Sequence, residues 1–168
     1  MNLDALLNLF NYCLILIYGV LLSIDMSGGW NSKRDKSLTA VIIAVLIAMQ
    51  GICDLCLGES LTAKLYPLIT HIPLILFLYY LFRRSIGAAI VSVLTAYLCC
   101  QIPEWFSSLV SYNVASRIAT DLSYTAAIVI SFILLHKYLV KPASEVINYS
   151  TSSLRGMGRL PAMYYIFD

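Results

Sequence analysis

SKRDKSLTAVIIAVLIAMQGICDLCL, residues 32–57, sets three basic side chains, Lys33, Arg34 and Lys36, ahead of a long apolar run. From Leu38 to Leu57 the only charged residue is Asp54. About 20 apolar residues in a helix match the hydrocarbon thickness of a bilayer. The stretch therefore predicts a membrane helix with a basic flank at one end. Ala40, Ala44 and Ala48 add a row of small residues that lets another helix approach.

The segments on either side repeat the pattern. Apolar helices are expected over about Leu3–Ile24, Leu65–Phe82 and Ile86–Ile102, and from Asp121 to about Val140. The Lys and Arg residues between them alternate sides. If Met1 starts outside, the inner connections carry Lys33, Arg34, Lys36, Arg83, Arg84, Lys137, Lys141, Arg155 and Arg159, and the outer ones only Lys64 and Arg117. Nine against two is a strong positive-inside signal. It predicts a multi-pass protein of the cell membrane with its N-terminus outside.

Composition agrees. The chain of 168 residues is 60% hydrophobic and 12% charged, against about 25% charged in a soluble domain. The net charge of +2 offers no solvated basic patch, so nucleic acid is excluded as a partner. The first segment has no Lys or Arg before it and no small-residue cleavage site after it, so it reads as a membrane helix rather than a signal peptide.

The fold class expected is all-α: a polytopic transmembrane helix bundle of five spans plus the start of a sixth. Residues 1–140 form the five-helix domain, 141–159 a cytoplasmic polar loop rich in Ser and Thr, and 160–168 the start of a sixth span, so that the chain reads as a truncated piece. Gly28-Gly29 predicts a flexible turn. Pro103 and Pro142 are expected to end the fourth and fifth helices, with an interfacial helix between Pro103 and Thr120 and a cap at Thr120-Asp121. Ala88, Ser92, Ala96 and Cys100 form a second row of small residues.

The charge pattern places Asp54, His71, Gln101 and Asp121 in the outer parts of four different helices. A charge inside a membrane is costly and marks a functional candidate. These four are the candidate ligand-binding residues, lining an outward-open pocket. Asp4, Asn8 and Asn11, spaced i, i+4, i+7 on one helix face, would add a further wall. The bland alternative is helix-end residues wetted by headgroups, or hydrogen bonds between helices.

Cys53, Cys56, Cys99 and Cys100 share this level with His71, but no second Cys-x-x-Cys or His pair supports a metal site, and packing is the better account. No catalytic residue, metal or cofactor is assigned. A Cys–His peptidase lacks any group to orient the imidazole. His136 beside Lys137 reads as an interfacial residue, and no ATP-binding motif occurs.

Three stretches carry a family likeness: Tyr66-Pro67-Leu68-Ile69-Thr70-His71-Ile72-Pro73, Leu94-Thr95-Ala96-Tyr97-Leu98-Cys99-Cys100-Gln101-Ile102-Pro103, and Leu160 to Asp168. Together they resemble the N-terminal membrane sensor region of GHKL-type sensor histidine kinases of anaerobic Gram-positive bacteria. The layout is broadly similar to that of accessory-gene quorum-sensing receptor kinases. The resemblance implies a sensor module of a two-component system that detects an extracellular small ligand or peptide. It implies further spans, a phosphoacceptor helix and an ATP-binding domain, none of which lies in this chain, so the chain itself is not an enzyme. It also implies a homodimer made through that kinase region. The alternative from a different class is a small transporter or a membrane subunit of a transport system.

Overall fold

The computed structural model describes residues 3–30, 32–114, 116–149 and 151–167. Among them the chain is helical throughout its regular elements, with no strand. Helix α1 spans Leu3–Met26, α2 Lys33–Leu57, α3 Glu59–Tyr66, α4 Ile72–Tyr80, α5 Ile86–Asn113, α6 Arg117–Leu135, α7 Lys141–Tyr149 and α8 Thr151–Phe167. Two π-helical turns, Pro67–His71 and His136–Val140, join α3 to α4 and α6 to α7 without a break. Four helical stretches are long and apolar enough to cross a membrane: Leu6–Met26, Lys33–Leu57, Ile86–Asn113 and Arg117–Asn148. Lys64–Tyr80 is a shorter apolar helix.

Pro103 and Pro142 do not end helices as the sequence suggests. Pro103 lies inside α5, which runs on to Asn113, so no separate interfacial helix follows it. A proline lacks the N–H that would bond the carbonyl four residues back. Here that carbonyl, Cys99 O, accepts from the Tyr18 hydroxyl at 3.2 Å instead. Pro73 and Pro142 are accommodated differently: each sits two residues after the end of a π-helical turn. In the first turn the Ile72 N–H bonds Pro67 O, one residue wider than an α-helical bond. That widening relieves the clash a proline ring makes with the preceding turn.

The caps are local. Ser32 and Asp35 form a capping box at α2: the Ser32 hydroxyl accepts from Asp35 N at 3.2 Å, and Ser32 N donates to the Asp35 carboxylate at 3.1 Å. Ser85 caps α5. Ser116, rather than the expected Thr120-Asp121, caps α6. The turn after α1 needs its glycines, since Gly28 has φ 120° and Gly29 φ 66°. It is pinned rather than loose: Arg84 Nη2 donates to Gly29 O at 2.9 Å.

α1 and α5 form the central antiparallel pair, and a hydrophobic cluster lies on each side of them. Leu16, Val20 and Ile24 of α1, spaced four apart, meet Leu46 of α2, Leu74, Phe77 and Leu78 of α4, and Ala89 and Val93 of α5. Tyr18, Leu22 and Met26, on the neighbouring ridge, meet Ala88, Ala96 and Cys99 of α5, Ile128 of α6, and Ala143 and Ile147 of α7. The small-residue row of α5 is thus consumed inside the chain. The row of α2 is not: Ala40, Ala44 and Ala48 are exposed, with Val41, Val45 and Ile52 around them.

In the segment 141–159, expected as a polar loop, residues 141–149 and 151–159 are helical instead. α7 buries Ala143 and Ile147, and α8 packs Leu154 and Met157 against the same cluster. α8 begins at Thr151, well before Leu160, and lies parallel to α5. A Cβ added at Gly87 would meet Leu154 Cδ2 at 2.7 Å, and one at Gly158 would meet Val91 Cγ2 at 2.9 Å. At the other end Tyr165 stacks edge-on with Tyr97. α1, α3–α4 and α6 therefore run one way, and α2, α5 and α8 the other. One end gathers Lys33, Arg34, Lys36, Arg83, Arg84, Lys137, Lys141 and Arg155. Arg159 follows one turn further along α8, and Lys64 and Arg117 lie at the other end.

Candidate functional site

The end of the bundle that is poor in basic residues is hollow. A cavity of about 1040 Å³ opens there, walled by Asn8 and Tyr12 of α1, Gln50 and Asp54 of α2, Lys64 and Tyr66 of α3, Tyr97, Gln101 and Glu104 of α5, and Tyr165 of α8. A narrower cleft of about 180 Å³ shares Tyr12, Tyr66, Tyr97, Gln101 and Glu104 with it. The cleft continues along α1 from Tyr12 to Ser23, between Leu16, Val20, Leu74 and Val93. Below it α1 is closed off by its packing, since Ile24 to Ser27 are all buried.

His71 organises the junction of the two spaces. It ends the first π-helical turn, whose extra residue rotates the following helix relative to the preceding one. The side chain is buried, and its Nδ1 lies 3.0 Å from the Tyr165 hydroxyl. Three tyrosine rings surround the imidazole, with centroids at 5.1 Å for Tyr66, 5.0 Å for Tyr97 and 5.4 Å for Tyr165. In the same turn, Thr70 donates to Gln50 Oε1 at 3.1 Å and ties α2 to the wall. The Tyr12 hydroxyl is buried and has no hydrogen-bond partner among the described residues.

Three of the four residues singled out from sequence therefore line these two adjoining spaces. Gln101 faces both compartments, Asp54 stands at the wide mouth and His71 at the neck. Asp121 stands apart. Its backbone carbonyl accepts from Asn11 Nδ2 at 3.1 Å and from Thr125 Oγ1 at 3.0 Å, and the Thr125 hydroxyl also reaches Asn11 Oδ1. It serves the contact between α1 and α6, and its Oδ2 is buried without a partner among the described residues. Asn8 and Asn11 divide accordingly, Asn8 to the cavity and Asn11 to α6. The side chain of Asp4 lies outside the described residues.

Sequence reasoning missed Glu104 and the tyrosines Tyr12, Tyr66, Tyr97 and Tyr165. The signal available was the concentration of tyrosine, 12 in the chain, at the same helical levels as Gln101 and Asp54. The cysteines are all free thiols. Among the described residues, no three His, Cys, Asp or Glu side chains converge as a metal site would require. At the opposite, basic end, His136 Nδ1 lies 3.2 Å from Asp25 Oδ2, joining the second π-helical turn to the end of α1.

No family model, no curated protein and no solved structure matches this chain.

Proposed function

We propose that this chain is a membrane-embedded receiver that binds a small ligand or peptide from outside the cell and passes the bound state inward. In this reading the basic end lies in the cytoplasm, the side that an excess of Lys and Arg favours. The cavity then opens to the outside. The helix from Glu59 through Tyr80, continuous across its π-helical turn, serves as the third of five spans. α8 begins the return as a sixth.

The observation that carries the proposal is the bond between His71 and Tyr165 in the cavity wall. A ligand shifts an equilibrium only by binding two packings with different affinity. Tyr165 is both a wall of the cavity and part of α8, whose other end rests beside the cytoplasmic end of α5 at Gly87. Occupancy that moves Tyr165 off His71 changes how α8 is held along its length. The resemblance to sensor regions of GHKL-type histidine kinases supports a two-component system as the output. The catalytic step then belongs to a kinase region, not to these residues.

A second reading, a small transporter, draws on one feature: the narrow cleft runs on to Ser23, beyond what a surface pocket needs. Transport requires the packing at Ile24 to Ser27 to open.

The test uses the protein in the organism that carries its gene. His71→Ala and Gln101→Ala, each at unchanged membrane level, are expected to raise the dose of spent culture medium needed for a transcriptional response by about tenfold, the effect of losing ~1.4 kcal/mol of binding. An unchanged dose response in both variants removes the receiver. Flux of a labelled medium component into proteoliposomes of the purified protein favours the transporter instead.

A further inference from the structure

We infer that the ligand this cavity takes is an organic cation carrying an apolar group about the size of one aromatic ring. The inference rests on the cavity being a ligand site, and it names the ligand's chemistry.

Two features of the wide compartment select the charge. Its formal charges are Asp54 and Glu104 against Lys64, an excess of one negative charge. All three are exposed side chains at the open mouth, where they act on an approaching ligand before it is desolvated. Deeper in, the walls are the rings of Tyr12, Tyr66, Tyr97 and Tyr165. A tyrosine ring attracts a cation placed over its face, by about 0.5–1 kcal/mol when exposed and ~2 when desolvated, and clusters of aromatic rings are a recurring receptor for ammonium groups. An anion finds only Lys64 and has to pass two carboxylates.

The narrow compartment selects the rest of the molecule. Leu16, Val20, Leu74, Val93 and Ala96 are among its walls, and its surface is mainly apolar. Its volume of about 180 Å³ is close to the ~150 Å³ apolar cavity that stays dry and accepts benzene. The two compartments share Tyr12, Tyr97 and Gln101, so the polar and apolar parts of one ligand occupy both at once. The unpartnered Tyr12 hydroxyl at that junction offers a hydrogen bond to a polar atom linking them.

The experiment uses the full chain in lipid nanodiscs with Trp30→Phe, which leaves Trp105 as the single tryptophan. Trp105 lies 6.2 Å from the ring of Tyr164, the neighbour of Tyr165 on α8, and so reports on that wall. Benzyltrimethylammonium is expected to change its emission saturably. Tetramethylammonium, which lacks the ring, and phenylacetate, which reverses the charge, are each expected to bind at least about tenfold more weakly. Asp54→Asn combined with Glu104→Gln, at exposed positions that leave the packing alone, is expected to weaken the cation about tenfold and leave neutral benzyl alcohol unchanged. Saturable binding of phenylacetate or benzyl alcohol as tight as that of the cation overturns the ligand class and leaves the cavity as a binding site. No saturable change with any of the four probes overturns the ligand class, while the receiver itself stands or falls on the dose response of His71→Ala and Gln101→Ala.

Discussion

The Tyr18 hydroxyl lies 3.2 Å from Cys99 O, the acceptor left open because Pro103, four residues on, has no N–H to give. A residue of the first helix thus repairs the fifth, across 81 positions of chain. Cys99 is buried, so no water stands ready to replace that donor.

Tyr18→Phe is expected to cost about 1–2 kcal/mol, because it leaves a buried carbonyl unpaired in a setting where hydrogen bonds between helices otherwise average ~0.6 kcal/mol. In a Pro103→Ala background the new backbone amide supplies the helical bond, and the same Tyr18→Phe change is expected to cost less than half as much. Unfolding of the four proteins by SDS titration in mixed micelles measures the cycle. Equal costs of Tyr18→Phe in both backgrounds refute the pairing.

Two glycines at the contact of α5 with α8 carry opposite expectations. Alanine normally gains about 1 kcal/mol over glycine within a helix. At Gly87 the new methyl meets the free end of Leu154, which can swing away. Gly87→Ala is therefore expected to be neutral or slightly stabilising. At Gly158 it meets Val91, a buried β-branched side chain with little rotamer freedom. Gly158→Ala is expected to cost about 1–3 kcal/mol by overpacking. The same SDS titration reads both, and a reversed order shows that α8 does not pack here as described.

Orientation is tested by labelling from either side of the membrane. In a background where the five cysteines are replaced by serine, Gly58→Cys and Ser111→Cys are expected to react with a charged, impermeant maleimide added to intact cells. Ser32→Cys is expected to react only after lysis. All three positions are exposed, so a difference reports sidedness rather than burial. Labelling of Ser32→Cys in intact cells reverses the topology and turns the cavity towards the cytoplasm.

The helical class and the apolar stretches are legible from residues 32–57 and their repeats because transfer from water to lipid is a property of each residue, summed along a window. The capping box at Ser32 and Asp35 is equally local. The prolines defeat a local reading for a physical reason. The partner that rescues Pro103 is Tyr18, on a different helix, and the π-helical turns before Pro73 and Pro142 leave no mark in composition. Residues 141–159 look like a loop because their polar surface conceals the burial of Ala143, Ile147, Leu154 and Met157 on one side.

The candidate site divides along the same line. That Asp54, His71 and Gln101 belong to one end of the bundle follows from span lengths and basic flanks, since these set the height of each residue along its helix. Which of them face a common space depends on the rotation of each helix about its own axis, about 100° per residue. Contacts between helices set that rotation. The phase of α6 sends Asp121 to Asn11 and away from the cavity, and the widened turn at Pro67–His71 brings His71 among Tyr66, Tyr97 and Tyr165. Height was written in the chain, residue by residue; azimuth came only from packing, because the partners that determine it lie on other helices.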